Sequence, residues 1–167
     1  EPTVDDVFEH VLERVERDIG RKVVQRAMEA LWSSRAGLLR DELMAIAKLK
    51  PAQWAEIQNA LDESLYERAG KINFGHDYLR KAVEDRYALT KLKRRRLHRQ
   101  MGEYFKELPV DGRVAEELPW QRMNAGDLEG LKSFLLDFSH LASMRQASID
   151  WIEIHRYWSC CGGESAA

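Results

Sequence analysis

Apolar residues recur three and four positions apart over most of the chain, and the rhythm breaks at one place. Val4, Val7, Phe8, Val11, Leu12, Val15 and Ile19 fall on one face of a first helix. Thr3 with Asp6 has the outline of a capping box with a shortened acid, and Gly20 supplies a stop. Val23, Val24, Ala27, Met28 and Leu31 line a second helix, which ends at the Ser33-Ser34-Arg35-Ala36-Gly37 breaker. Leu38-Leu39 fit a short strand. Asp41 starts a third helix through Leu43, Ile46, Ala47 and Leu49. Pro51 suits the first turn of a fourth, where its missing N–H is no loss, and the buried stripe of that helix reads Trp54, Ile57, Leu61 and Leu65. Then the period changes. Leu65-Tyr66-Glu67 and Ile72-Asn73-Phe74 flank Arg68-Ala69-Gly70-Lys71, the pattern of a small hairpin.

After Asp77 the spacing is helical to the end. Leu79, Ala82, Val83 and Tyr87 share one face. A longer helix after Thr90 carries Leu92, Leu97, Met101, Tyr104, Phe105 and Leu108. Pro109 to Gly112 is a turn, and Arg113–Asn124 with Leu128–Phe138 forms a helical hairpin, broken at Gly126 and capped by Asp127. A last helix runs through Ile149, Trp151, Ile154 and Trp158 toward Gly162-Gly163. Helix, short strand, helix, helix, hairpin is the order of a winged helix, with the hairpin as wing. The expected fold class is therefore mainly α: a winged-helix domain, helices plus a small β-hairpin, followed by α-helical hairpins.

Composition narrows the function classes. The chain has 167 residues, 32% charged and 44% apolar, a globular rather than disordered balance. No apolar run reaches the length of a membrane span. The first residue is Glu1 and nothing resembles a leader, so the chain reads as an excised segment of something larger, with a cytoplasmic location expected. Cys160 and Cys161 are adjacent, which suits free thiols in a reducing compartment better than a bridge or a zinc site. The five Trp sit mostly at core spacing. His10, His140 and His155 lack partners at metal-ligand spacing, and no metal site is expected. No nucleophile–base–acid set and no phosphate-binding loop is present, so the chain is not expected to be an enzyme by itself.

A winged helix commonly reads DNA, and the charge of its recognition helix is the test. From Ala52 to Tyr66 there are three acids, Glu56, Asp62 and Glu63, and no Lys or Arg, which phosphates would repel. The net charge of −2 by itself points neither way, and the acidic helix makes a DNA-binding regulator the weaker alternative. A third class is a helical protein-interaction adaptor docking through Trp120 to Trp158. The densest charge, Lys91, Lys93, Arg94, Arg95, Arg96 and Arg99, reads either as a nucleic-acid or acidic-lipid patch or as a solvated helix face, and a docking face for another acidic domain would look the same. His76 stands just past the second hairpin strand at a helix start, where backbone N–H groups and the helix dipole favour an anion. His76 and Asp77 thus read either as plain capping residues or as a phosphate contact.

Ile72-Asn73-Phe74-Gly75-His76-Asp77-Tyr78-Leu79-Arg80 resembles the Met-His-Asp motif of STAND-class signal-transduction NTPases, which include NACHT and apoptotic ATPases. Ala30 to Leu38, the spacing from Phe74 to Val83, Arg96-Leu97-His98 before Tyr104-Phe105, and Glu116 to Trp120 followed by Asn124 to Asp127 resemble, in the same order, members of that class that carry tetratricopeptide repeats. The resemblance implies three parts: residues 1–20 ending a nucleotide-domain lid, 21–88 a winged helix, and 89–167 a helical linker toward repeats. It also implies that His76, supported by Asp77, contacts the β-phosphate of ADP held by an N-terminal nucleotide-binding domain. ADP or ATP with Mg would then belong to the parent protein and no cofactor to this chain. The implied partners are that domain, the C-terminal repeats and other copies on activation, with no membrane and no nucleic acid. Gly75 stands where the motif carries Met.

Overall fold

The Gly20 backbone, at φ 109°, separates α1 (Val4–Ile19) from α2 (Arg21–Ser33) in a conformation that side chains with a Cβ rarely adopt. The computed structural model describes the backbone from Val4 to Gly162 and side chains from Val7. It is mainly α-helical with one small three-stranded sheet. Its contacts fall into two compact units that meet in sequence at Leu92 and Lys93.

In the first unit, α1 packs on α2, α4 (Pro51–Ala60) and α5 (Asp77–Arg86). Leu12 and Val15 of α1, Met28 and Leu31 of α2, Leu43 of α3 (Arg40–Ala47), Trp54 and Ile57 of α4, and Leu79 and Val83 of α5 form its core. The capping pair Thr3 and Asp6 lies outside the residues whose side chains are described, and Val7, expected on the buried stripe, is exposed.

The sheet runs β1-β3-β2, all antiparallel, with β1 at Leu38–Leu39, β2 at Leu65–Arg68 and β3 at Lys71–Phe74. Leu38 pairs with Ile72 and Leu65 with Phe74. The hairpin is tighter than expected: Arg68 and Lys71 join the strands, leaving Ala69 (φ 51°) and Gly70 (φ 76°) as a two-residue turn. Left-handed backbone at both central positions matches the twist of paired strands. The fourth helix is shorter than its apolar spacing suggested. It stops at Ala60, and Leu65 opens β2 instead of completing the stripe. The intervening turn is held by Leu61, whose carbonyl accepts from the Ser64 and Leu65 amides.

Two polar clusters fix α5. Glu16 on α1 is only 7% exposed and accepts from Arg86 Nε (2.8 Å), Arg86 Nη2 (2.7 Å) and the Tyr87 hydroxyl (2.7 Å). Burial pushes the Glu16 carboxyl up, but the hydrogen bonds from Arg86 and Tyr87 and the Arg86 charge outweigh it, so the net shift is downward. Burial, with Glu16 beside it, raises the Tyr87 phenol. At the other cluster Arg80 donates to the Trp32 carbonyl at the end of α2 (2.6 Å) and lies over the Trp32 ring, while Trp32 Nε1 donates to Glu84 (2.9 Å).

Among the described residues the regular elements of the second unit are helices: α6 (Lys91–Lys106, its first two residues in the first unit), α7 (Gly112–Ala125), α8 (Leu128–Leu135), α9 (Phe138–Gln146) and α10 (Trp151–Gly162). Aspartates punctuate it. Asp111, Asp127, Asp137 and Asp150 accept from the Val114, Gly130, Ser139 and Glu153 amides, at 2.9, 3.0, 2.8 and 2.7 Å. Asp137 corrects the expectation of one helix over Leu128–Phe138. α8 ends at Leu135, and Phe138 begins a separate helix whose cap also takes the Ser139 hydroxyl (2.6 Å). Those Ser139 bonds hold the Asp137 carboxyl below the usual range. Pro119 sits inside α7, where it can give no hydrogen bond back to Ala115. Leu97, Met101, Phe105, Leu118, Leu131, Phe134, Leu135, Met144, Ile154 and Tyr157 are buried, whereas Leu92 and Leu108 of the expected stripe are exposed.

Candidate functional site

His76 is the N-cap of α5, with extended backbone (φ −141°, ψ 140°), an exposed side chain and no side-chain capping bond. Its carbonyl accepts from the Leu79 amide (3.1 Å), and its ring lies 5.9 Å from the Phe8 ring of α1. Asp77 is the exposed first residue of the helix. The hairpin delivers both, because the Gly75 amide bonds the Ser64 carbonyl (2.8 Å) and so ties the end of β3 to the start of β2. A Cβ at Gly75 would stand 3.1 Å from that carbonyl, so glycine relieves a tight approach at the position where the resembling motif has Met. The imidazole is therefore presented outward beside the N-terminal amides of a helix, the arrangement that suits an anionic group of another molecule or domain.

The basic run lies along the first half of α6. Lys91 is exposed and opens α6 within the first unit; in the second unit Lys93 and Arg94 are half-buried and engaged, while Arg95, Arg96 and Arg99 are exposed. The Arg95 guanidinium reaches the C-cap of α7, lying 3.9–4.0 Å from where a Gly126 Cβ would be.

Sequence reading missed a buried polar chain between α6 and α7. Arg113 Nη1 donates to Glu116 (2.8 Å) and Glu117 (3.1 Å), Gln121 Nε2 donates to Glu117 (2.9 Å), and His98 Nδ1 meets Gln121 Oε1 at 2.8 Å. Because Gln121 Oε1 can only accept, His98 Nδ1 must carry the proton. The signal lay in the four-residue ladder of Arg113, Glu117 and Gln121, which marks one face of a helix. The cleft beside it, lined by His98, Gln121, Arg122 and Asp127 among others, holds about 20 Å³, enough for a water and too small for a nucleotide.

The tryptophans divide. Trp32 and Trp54 are buried, Trp120 and Trp158 are half-buried, and Trp151 is 63% exposed under the Arg145 guanidinium. Cys160 and Cys161 are free thiols on the last turn of α10. Among the described residues there is no cluster of three potential metal ligands, and no helix is long and apolar enough to cross a membrane.

Over 137 residues, 78% of its length, the chain is 26% identical to a TPR repeat-containing protein of Dictyostelium discoideum. It is similar to tetratricopeptide-repeat proteins. Tetratricopeptide repeat protein 41 of rat is 28% identical over 158 residues, and that of mouse 25% identical over 159, each match covering 77% of the chain. The chain spans only 8% of the Dictyostelium protein and 12% of the rodent ones. No family model matches it, and no solved structure does.

Proposed function

We propose that the chain is a helical protein-interaction segment of a larger protein of the tetratricopeptide-repeat kind, and not an enzyme by itself. The observation that carries this reading is the similarity, over more than three quarters of the chain, to proteins named for a helical repeat. Such repeats stack helix pairs and offer the outer faces to other polypeptides. The second unit supports the reading: its consecutive helices leave Phe138 (87% exposed), Ile152 (82%) and Trp151 in water, a costly placement for a surface without a partner. Affinity purification of the tagged chain from its own cells, beside the Phe138→Asp/Ile152→Asp variant, tests it. Polypeptides retained by the wild type and lost by the variant are expected, and identical sets would refute the use of these exposed residues.

A finer reading is favoured by the hairpin and its histidine. The order α2–β1–α3–α4–β2–β3, with β1 paired to β3, supports a winged-helix reading, and α4 carries Glu56 and no Lys or Arg. In this reading the first unit is the winged-helix latch of a STAND-type NTPase, and His76, supported by Asp77, meets the β-phosphate of ADP bound to a neighbouring domain. One charge-assisted hydrogen bond, about 1.5–3 kcal/mol, would shift a closed–open equilibrium roughly ten- to a hundred-fold. His76→Ala in the full-length parent is expected to speed ADP release by a factor in that range. Unchanged release and unchanged signalling would remove the sensor role.

A further inference from the structure

Arg95, Arg96 and Arg99 lie three and four residues apart, so their side chains leave α6 on one face. All three are exposed and make no hydrogen bond or ion pair among the described residues. The nearest acid on the helix, Glu103, is engaged by Lys106 at 3.4 Å. Like charges at this spacing repel and weaken the helix they sit on. The first turn of α6 is also devoid of acid, so nothing on the helix offsets its positive end. The Arg95 guanidinium lies near the end of α7, and the opposite side of α6 is anchored by the buried Leu97, His98, Met101 and Phe105. The helix backbone that carries the three arginines is thus packed in place, and only their side chains have to be ordered when a partner binds.

We infer that Arg95, Arg96 and Arg99 form a docking face for a carboxylate-rich segment of a protein partner, an inference that rests on the protein-interaction reading. The residue type is informative, since a guanidinium pairs a carboxylate through two parallel hydrogen bonds where an ammonium offers a point charge. A nucleic acid fits less well. The chain carries a net charge of −2, which disfavours a long phosphate polymer running beyond the three arginines more than a short acidic segment confined to them.

Titration of the whole chain with a fluorescein-labelled Glu-rich peptide at low salt, read by anisotropy, tests the inference. Arg95→Gln/Arg96→Gln/Arg99→Gln is compared with Arg17→Gln/Arg26→Gln/Arg156→Gln, which removes the same net charge from other exposed positions. The first triple is expected to weaken binding roughly tenfold and the second less than about twofold, since each exposed pair contributes modestly. Circular dichroism confirms that both variants fold. Equal losses in the two triples, no peptide binding by the wild type at low salt, or tighter binding of single-stranded RNA of matched charge would each overturn the inference. Capture of partners through Phe138 and Ile152 is read separately, so failure of the peptide to bind is distinguishable from failure of the interaction reading.

Discussion

Arg86→Ala is expected to lower the unfolding free energy of the first unit by about 3 kcal/mol at neutral pH, measured by urea denaturation. The arginine supplies both bonds that fork onto the Glu16 carboxylate, and its loss leaves a buried charge on α1 with the Tyr87 hydroxyl as its remaining hydrogen bond. The effect has a pH signature. The Glu16 carboxyl is lowered in the folded state, so the pair contributes stability above the ordinary glutamate range and loses it as pH falls through the lowered value. The gap between wild type and Arg86→Ala is therefore expected to be full at pH near 7 and to close below about 4. Arg86→Lys, which keeps charge and loses the fork, should fall between them. A gap that does not change with pH would mean that packing of the long side chain, and not the ion pair, ties α5 to α1.

Gly37→Ala is expected to cost at least about 3 kcal/mol and to detach β1 from the sheet. Gly37 lies at φ 86°, and an added Cβ would stand 2.5 Å from the Ile72 carbonyl oxygen, a backbone atom of β3 that cannot swing aside. Gly70→Ala is the matched control. It shares a left-handed φ of 76°, but its Cβ would meet only a Leu39 methyl at 3.5 Å, so about 1 kcal/mol is expected from strain alone. Equal effects at the two positions would show that the approach of Gly37 to β3 is unimportant. Backbone amide exchange at Leu38 and Ile72 separates a local opening of the strand from global unfolding.

The element order was legible because the period of the apolar residues changes from helical to alternating at Leu65, and Gly20, Gly70 and Gly126 mark places where the backbone turns left-handed or nearly so. What misled was amphipathic spacing at the ends of elements. Leu65 continues the α4 stripe in register yet belongs to β2, and Leu92 fits the α6 stripe yet is 80% exposed, because spacing fixes a face and not what packs against it. Asp137 is hidden in the sequence because Leu135, Leu136 and Phe138 read as one apolar run. The cap shows only once the Asp-x-Ser spacing is weighed above hydrophobicity. The placement of His76 at a helix start was readable from the hairpin before it. The Glu16–Arg86–Tyr87 cluster was not, since its members are about 70 residues apart and their pairing depends on how α1 crosses α5.

The two levels of functional reading make different demands on the same chain. A protein-interaction segment needs outward faces on the second unit, whereas a latch needs His76 to face a phosphate that another domain carries. Both can hold at once, because Phe138 and Ile152 belong to one unit and His76 to the other.

Amide hydrogen exchange, followed by mass spectrometry on the chain alone and in complex with the partner recovered by wild-type capture, tests the interaction reading most directly. Slower exchange within α9 and α10, whose exposed Phe138, Trp151 and Ile152 would be covered, is the expected result. Unchanged exchange across both helices in a formed complex would contradict a protein-docking role for these exposed residues.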